Sequence, residues 1–474
     1  MNKQKNLLFV FADQWRGSAV GFAGEDPVHT PRMDAFCRES TWCDHAFSTF
    51  PLCSPHRASL LTGRYPLSTG FYTNCKPGID VRLQDDELCI GQVLKQGGYQ
   101  TGYIGKWHLD EPEVNHDPAP ASGARDWDAF TPPGVRRHGF DYWYSYGTWD
   151  MHLDPHYWQD TPQWVRPGKW SPEHETDVAL DYLKNVSRDQ PFALFVSWNP
   201  PHSPYDQVPD RYLAQYGEVP FRGNVQPEHL QHHTWEQVPG GEENLQRMTR
   251  QYYAAISGLD EQFGRLLDGL DQLGLAEDTI VVLSADHGDM MGSHGLMGKH
   301  VWFEESIRIP LMIRIPGNRK LTCHTCIASQ DMMPTLLSLL SLPIPETVEG
   351  EDCSVWLTTP AENPDRVSFL CACPGRDIFQ KPFADRGLNA MDFGWRGVRT
   401  ARYTYVMELG YAPDEEPRRF LYDNEADPLQ VHPLSLDGPE TRQLARELEE
   451  QVCGWMAAQQ DGFAIHWQER THKL

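Results

Sequence analysis

The sequence predicts an α/β fold: a large, mainly parallel mixed β-sheet sandwiched by helices, joined to a smaller C-terminal α+β subdomain with an antiparallel sheet. Three observations predict it. The runs 7–11, 192–196 and 279–283 are apolar without alternation, the pattern of strands buried on both faces of a mainly parallel sheet. Tyr252, Ile256, Leu259, Phe263, Leu266, Leu270 and Leu273 recur at helical spacing, a core-packing stripe that predicts a helix across 248–273. At 474 residues the chain exceeds the usual single core, and a Pro/Glu-rich stretch near 344–365 marks the break. Residues 1–355 are read as the large domain and 356–474 as the small one.

The elements follow in chain order. Met1 to Asn6 and the apolar run Leu7–Phe11 superficially suggest an export signal. The run is too short, lacks a small-residue cleavage site and leads straight into Asp13, so it is read as a buried first strand that delivers a carboxylate. Residues 57–61 read as helical, with Pro55 in the first turn and Cys53 just ahead of it. The stretch 110–175, rich in Trp, His, Pro and Asp, reads as a long elaborated loop, and 203–245 as a second, Pro-rich excursion. The run 279–283 ends in Asp286-His287. In open α/β sheets ligands bind beyond the carboxyl ends of the strands, so this acidic cluster and Asp13 are expected on one rim. In the small domain, Arg396–Val406 and Phe420–Asp423 read as antiparallel strands and 439–459 as a helix.

Composition narrows the partners. The chain has 41 basic and 66 acidic residues, a formal charge of -25, which opposes nucleic acid and anionic membranes at long range. An anionic substrate must then be captured by a local basic pocket. No stretch approaches the roughly 20 apolar residues of a membrane span. Eleven irregularly spaced cysteines fit reduced cytoplasmic thiols better than a disulfide framework. Cys323-His-Thr-Cys326 and Cys371-Ala-Cys373 lack a second pair at zinc-site spacing, so packing is the expectation for them.

The chemistry sits in six segments. Residues 51–63 read Pro-Leu-Cys-Ser-Pro-His-Arg-Ala-Ser-Leu-Leu-Thr-Gly, with Cys53-x-Pro55-x-Arg57 at their heart. Residues 98–108 read Gly-Tyr-Gln-Thr-Gly-Tyr-Ile-Gly-Lys-Trp-His, 197–204 Ser-Trp-Asn-Pro-Pro-His-Ser-Pro, and 298–300 Gly-Lys-His. Asp13-Gln14 and Asp286-His287 complete the set, a hard-leaning group of donors that suits calcium, with manganese or magnesium as alternatives. Together these segments resemble the type I, formylglycine-dependent sulfatases of the alkaline phosphatase superfamily. The likeness covers the whole chain, including Val398-Arg-Thr-Ala-Arg-Tyr and Leu421-Tyr-Asp-Asn-Glu-Ala-Asp-Pro in the small domain.

The resemblance implies a sulfuric ester hydrolase. Cys53 would be oxidised to formylglycine by a formylglycine-generating enzyme or an anaerobic maturase, and one hydroxyl of the hydrated aldehyde would attack sulfur. Arg57 and a divalent cation on Asp13, Gln14, Cys53, Asp286 and His287 would hold that diol. Lys106 and Lys299 would bind the sulfate, His202 would protonate the leaving alcohol, and His108 would assist loss of sulfate. His56 departs from the family, which usually has a small residue there, and Gln14 and His287 stand where other members carry Asp and Asn. Leaving-group recognition is expected from His152, His156, His294 and His300, and the aromatic 140–164 segment suits a sulfated mono- or oligosaccharide. A phosphonate monoester or phosphodiester hydrolase of the same superfamily is the rival, and a non-catalytic anion-binding protein with an unmodified Cys53 thiol is the alternative of another class.

Overall fold

In the computed structural model, which describes residues 4–471 apart from 233–236 and 239, the apolar runs form the centre of an eight-stranded sheet. Its strands are β1 (Asn6–Asp13), β2 (Thr41–Cys43), β3 (Gln100–Lys106), β4 (Tyr142–Tyr146), β5 (Phe192–Pro201), β6 (Thr279–Ala285), β7 (Leu311–Arg314) and β8 (Leu321–Cys323). They lie in the order β8-β2-β7-β6-β1-β5-β3-β4. The central strands β6, β1, β5, β3 and β4 are mutually parallel, and only β7 runs against its neighbours. Leu7, Leu8, Val10 and Ala12 of β1 have no exposed surface, which is why this strand cannot alternate; each such side chain beyond alanine contributes about 1.5–3 kcal/mol by leaving water.

Helices cover the sheet in two groups. α2 (Ser171–Asn185) and α3 (Glu242–Gln272) pack on each other and on β5, while α1 (Cys53–Thr62) joins the helices Ile90–Gln96 and Met332–Leu339. The apolar stripe does lie on α3, which starts six residues ahead of the expected 248. The 110–175 loop is interrupted by β4 and by the start of α2. Within the 203–245 excursion, residues 233–236 and 239 lie outside the described residues, as do the first three residues of the chain.

The small domain holds a four-stranded antiparallel sheet of β9 (Ser368–Ala372), β10 (Gly394–Arg399), β11 (Tyr403–Gly410) and β12 (Arg418–Asp423), in sequential order. It carries α4 (Asp377–Ala384), α5 (Pro439–Ala458) and α6 (Phe463–Thr471). The expected strand Arg396–Val406 is two strands joined by a turn at 400–402, where Thr400 N donates to Tyr403 O at 2.9 Å. The break at 355/356 falls within a short helix, Ser354–Thr358, whose Leu357 belongs to the large core. A second apolar core combines Trp395, Tyr405, Leu421 and Trp455 with Phe47, Phe50 and Leu52. The segment leading into Cys53 is thus anchored in the small domain.

All cysteines are free thiols, buried except the half-buried Cys453. Cys323 pairs in register with Cys43, and Cys371 lies within β9. No helix among the described residues is long and apolar enough to cross a membrane.

Candidate active site

β1 and β6 run parallel in register, with Ala12 opposite Ala285, so their carboxyl ends release Asp13 and Asp286 side by side. Asp286 N donates to Ala12 O at 3.1 Å. Gln14 turns away with φ 63°, and its N–H donates to Asp286 Oδ1 at 3.0 Å. Cys53 is the first residue of α1, which Pro55 tolerates because its missing N–H lies in the first turn. Gly63, at φ 68°, ends the helix. The Cys53 sulfur lies 3.5 Å from Asp13 Oδ1, 3.3 Å from His287 Nε2 and 3.3 Å from Lys299 Nζ, and the residue is only 1% exposed.

Arg57 follows Cys53 by four residues and therefore shares its helix face. Its guanidinium donates to Asp286 Oδ2 and Asp13 Oδ2, both at 3.1 Å, to Lys106 O at 2.8 Å and to Ser197 Oγ at 2.7 Å. Lys106 closes β3, and its Nζ reaches Asp13 Oδ2 at 2.7 Å and Asn199 Oδ1 at 3.0 Å. Gly105 makes this approach achievable: it sits at φ 95°, and a β-carbon there would collide with Ser197 O. Lys299 Nζ donates to Gln14 Oε1 at 2.7 Å. His108 Nε2 lies 3.1 Å from Cys75 O, while its buried Nδ1 has no hydrogen-bond partner among the described residues. His202, just past the end of β5, places Nδ1 2.6 Å from Ser203 O and 3.6 Å from Asp150.

The electrostatics follow from burial and from this crowding of charge. Burial alone would raise the Asp13 carboxyl, but Lys106, His202, Lys299 and Arg57 hold it well below the ordinary carboxylate range. Burial and the neighbouring Asp13 push Asp286 up to about 6, against the pull of His287 and Arg57. Burial and Asp13 also oppose ionisation of Cys53, yet Lys299, Lys106 and His287 outweigh them and draw its thiol well below the usual value. The point occupied by Cys53 Sγ is therefore one where a negative charge is welcome.

Donor atoms of Asp13, Cys53, Asp286 and His287 lie within 4.8 Å of one another, all buried. Two desolvated carboxylates aimed at one point, with an imidazole beside them, fit a divalent cation. Gln14 stands at the edge of this group, its amide oxygen turned to Lys299. Asp289 was not singled out from the sequence, yet it fixes this edge: its carboxylate accepts from Gln14 Nε2 at 2.5 Å and from Tyr205 OH at 2.6 Å. Asn199 and Ser197 were likewise missed, although both lie within the 197–204 segment.

A cavity of about 970 Å³ opens over the site. Gln14, His202, Lys299 and His300 line it, with Trp127 and Trp149 from the 110–175 loop and Arg376 and Tyr411 from the small domain. The other histidines expected at the leaving group do not line it. His156 is packed inside its loop, where Nε2 meets Asp128 Oδ2 at 2.7 Å. His294 stacks on Phe303 with ring centroids 3.9 Å apart and does not line the cavity. His152 is buried behind His202, its Nε2 3.0 Å from the His202 carbonyl oxygen. His56 is buried too, with Nδ1 2.9 Å from both Ser48 Oγ and Ser329 Oγ.

The family model described as Sulfatase matches residues 5–342. The chain belongs to the sulfatase family. This sulfatase is 37% identical over 467 residues to the ulvan-active sulfatase of Formosa agariphila, covering 97% of the chain and 82% of that relative. It is 34% identical over 476 residues to an endo-4-O-sulfatase of Bacteroides thetaiotaomicron, covering 94% and 90%. A solved structure described under the metabolism of multiple glycosaminoglycans by the same bacterium superposes with a TM-score of 0.86 at 32% identity, covering 99% of both chains. The large mixed sheet with its small antiparallel companion is the alkaline phosphatase superfamily architecture, and the enzyme is a sulfuric ester hydrolase.

Proposed function

We propose that this sulfatase releases inorganic sulfate from a sulfated mono- or oligosaccharide, using a formylglycine made from Cys53. The observation that carries the reading is the shell around the Cys53 sulfur: Lys299 and His287 at 3.3 Å, with Arg57 and Lys106 both tied to Asp13 beside it. Positive groups fixed in advance around a transferring anion are usually the largest catalytic contribution. The names of the relatives support a saccharide, since one is ulvan-active and another an endo-4-O-sulfatase.

As formylglycine, Cys53 would carry a geminal diol, one oxygen of which attacks sulfur while the other later expels the sulfate. Asp13, Asp286, Gln14 and His287 would hold a divalent cation, calcium by preference, which neutralises anionic charge at that point. Arg57 positions residue 53 from the same helix face. The Lys106 and Lys299 ammonium groups bind the sulfate oxygens. His202 spends Nδ1 on Ser203 O, which leaves Nε2 to protonate the departing alcohol. His108 spends Nε2 on Cys75 O, and that bond fixes the tautomer in which the unpartnered Nδ1 is a base. The free thiols support a reducing, cytoplasmic setting.

The test is to co-express the chain with a formylglycine-generating enzyme and measure free sulfate and phosphate from panels of sugar sulfates, aryl sulfates and phosphonate monoesters. Sulfate release confined to sugar sulfates is expected, and Cys53→Ala should abolish it with the fold intact. Phosphate release without sulfate would move the enzyme to the phosphonate branch. Turnover by Cys53→Ala would overturn the nucleophile, and an unmodified Cys53 thiol in the native host would revive the non-catalytic reading.

A further inference from the structure

The cavity is asymmetric in charge. Its charged lining residues are Lys76, Lys299 and Arg376 against Asp126 and Asp150. The two acids lie beside Trp127 and Trp149 in the long loop, and Asp150 faces His202. The cations come from elsewhere, and Lys76 and Arg376 are brought together by a contact between the two domains. Lys76 Nζ donates to Gly375 O at 2.6 Å, Thr73 Oγ1 donates to the same oxygen at 3.1 Å, and a β-carbon on Gly375 would collide with Thr73 Oγ1. Arg376 is therefore set at the cavity wall next to Lys76, immediately ahead of α4.

His232 lines the same cavity. It pairs with Met297 in a short parallel bridge, and a β-carbon on Gly298 would lie 2.8 Å from its Nε2. His300 reports the combined field: burial first, then Lys76, His232 and Lys299, depress its imidazole to about 3. Such a concentration of positive charge is not background in a chain of net charge -25. Lys299 is already engaged with Gln14 and Cys53, so Lys76 and Arg376 belong to the part of the cavity beyond the reacting sulfate. At about 970 Å³ the cavity stands at the upper end of the roughly 300–1,000 Å³ of ligand pockets, which leaves room for a ring beyond the one bearing the ester. Trp127, 42% exposed, and Trp149 offer that ring an apolar face.

We propose that Lys76 and Arg376, with His232 also lining the cavity, form a subsite for a second anionic group on the substrate, so that the preferred substrate is a polyanionic saccharide. The inference rests on the saccharide sulfatase reading above and names the chemistry that selects within it. The second group is a carboxylate or another sulfate, both of which an arginine fork and an ammonium recognise.

Two matched pairs of sulfated disaccharides test it with the matured enzyme. In one pair the neighbouring ring carries a carboxylate or its methyl ester, and in the other a second sulfate or a hydroxyl. For at least one pair, kcat/KM should favour the anionic member by about tenfold or more at low salt, mainly through KM, and the ratio should shrink as salt screens the field. The pair that shows the preference identifies the second group. Arg376→Gln, at a half-buried position, and Lys76→Gln should each cut that ratio severalfold. Ratios near one in the wild type, or a ratio unmoved by both variants, would overturn the subsite while leaving the sulfatase reading standing on the sulfate released. No sulfate from any of the four compounds would sink the saccharide reading and the subsite with it.

Discussion

Lys106 Nζ and Asp13 Oδ2 meet at 2.7 Å with side chains 1% and 0% exposed. The Asp13 carboxylate also receives Arg57 at 3.1 Å and has Lys299 at 3.9 Å. One buried anion is therefore the hub of three cations, and the consequences of substitution are unequal.

Asp13→Asn should be the most damaging single change at the site. It leaves several desolvated cations facing one another, and removing one partner of a buried pair costs about 3–5 kcal/mol. Lys106→Gln removes one of the three cations and should cost less stability, while lowering kcat/KM by on the order of 10²–10³ as a lost oxyanion-type donor does. Urea midpoints in chelator, together with kinetics on the matured protein, separate the two. Equal destabilisation by both would contradict the hub.

Gly105→Ala should disable the enzyme without touching a charged group. At φ 95° an alanine is strained, and its methyl would strike Ser197 O across the parallel pair of β3 and β5. Lys106 and the Arg57 contact to its carbonyl would shift together. Loss of activity with a lowered Tm is expected, and a fully active alanine variant would show that the strands tolerate the displacement.

His300 predicts an acid-labile window. Its imidazole is lowered from 6.5 to about 3 by burial and by Lys76, His232 and Lys299. The native state therefore binds fewer protons than the unfolded chain between those values, so stability falls as pH drops from about 6.5 toward 3. The slope from this one group is at most about 1.4 kcal/mol per pH unit. His300→Gln should flatten the fall of Tm across that window, and an unchanged Tm profile would place the acid sensitivity elsewhere.

Metal removal should destabilise as well as inactivate. With no cation, Asp13 and Asp286 repel one another, and a ligand bound only to the native state adds about 2.7 kcal/mol at a hundredfold excess over its Kd. Dialysis against chelator should lower Tm, and calcium titration should restore it in both the wild type and Cys53→Ala. Indifference of Tm to both treatments would argue against the cluster as a cation site.

Much of this architecture was legible because each functional segment is tied to a buried strand or a helix start. Asp13 and Asp286 end apolar runs, and in an open α/β sheet ligands bind beyond the carboxyl ends of such strands. The aromatic loop was less readable: composition marks 140–164 as unusual but not which side chains turn inward, and His156 spends its polarity on a buried Asp128. The turn at 400–402 was hidden because Thr400-Ala401-Arg402 contains neither Gly nor Pro, so one strand was expected where two form. Asp289 gave a weaker signal, since its role is to bind Gln14 and Tyr205, which are remote in sequence.

Cys53 is 1% exposed, and the segment before it is pinned by Phe50 and Leu52 in the core of the other domain. An enzyme that oxidised this sulfur, as the formylglycine proposal requires, would have to reach it past these contacts, and Arg57 alone is held by four partners in the finished molecule. The folded chain is thus a closed door to its own activation. If Cys53 is converted to formylglycine as proposed, its burial implies that the conversion would come before the last stages of folding. On that proposal, a molecule that folded first would keep its thiol until it unfolded.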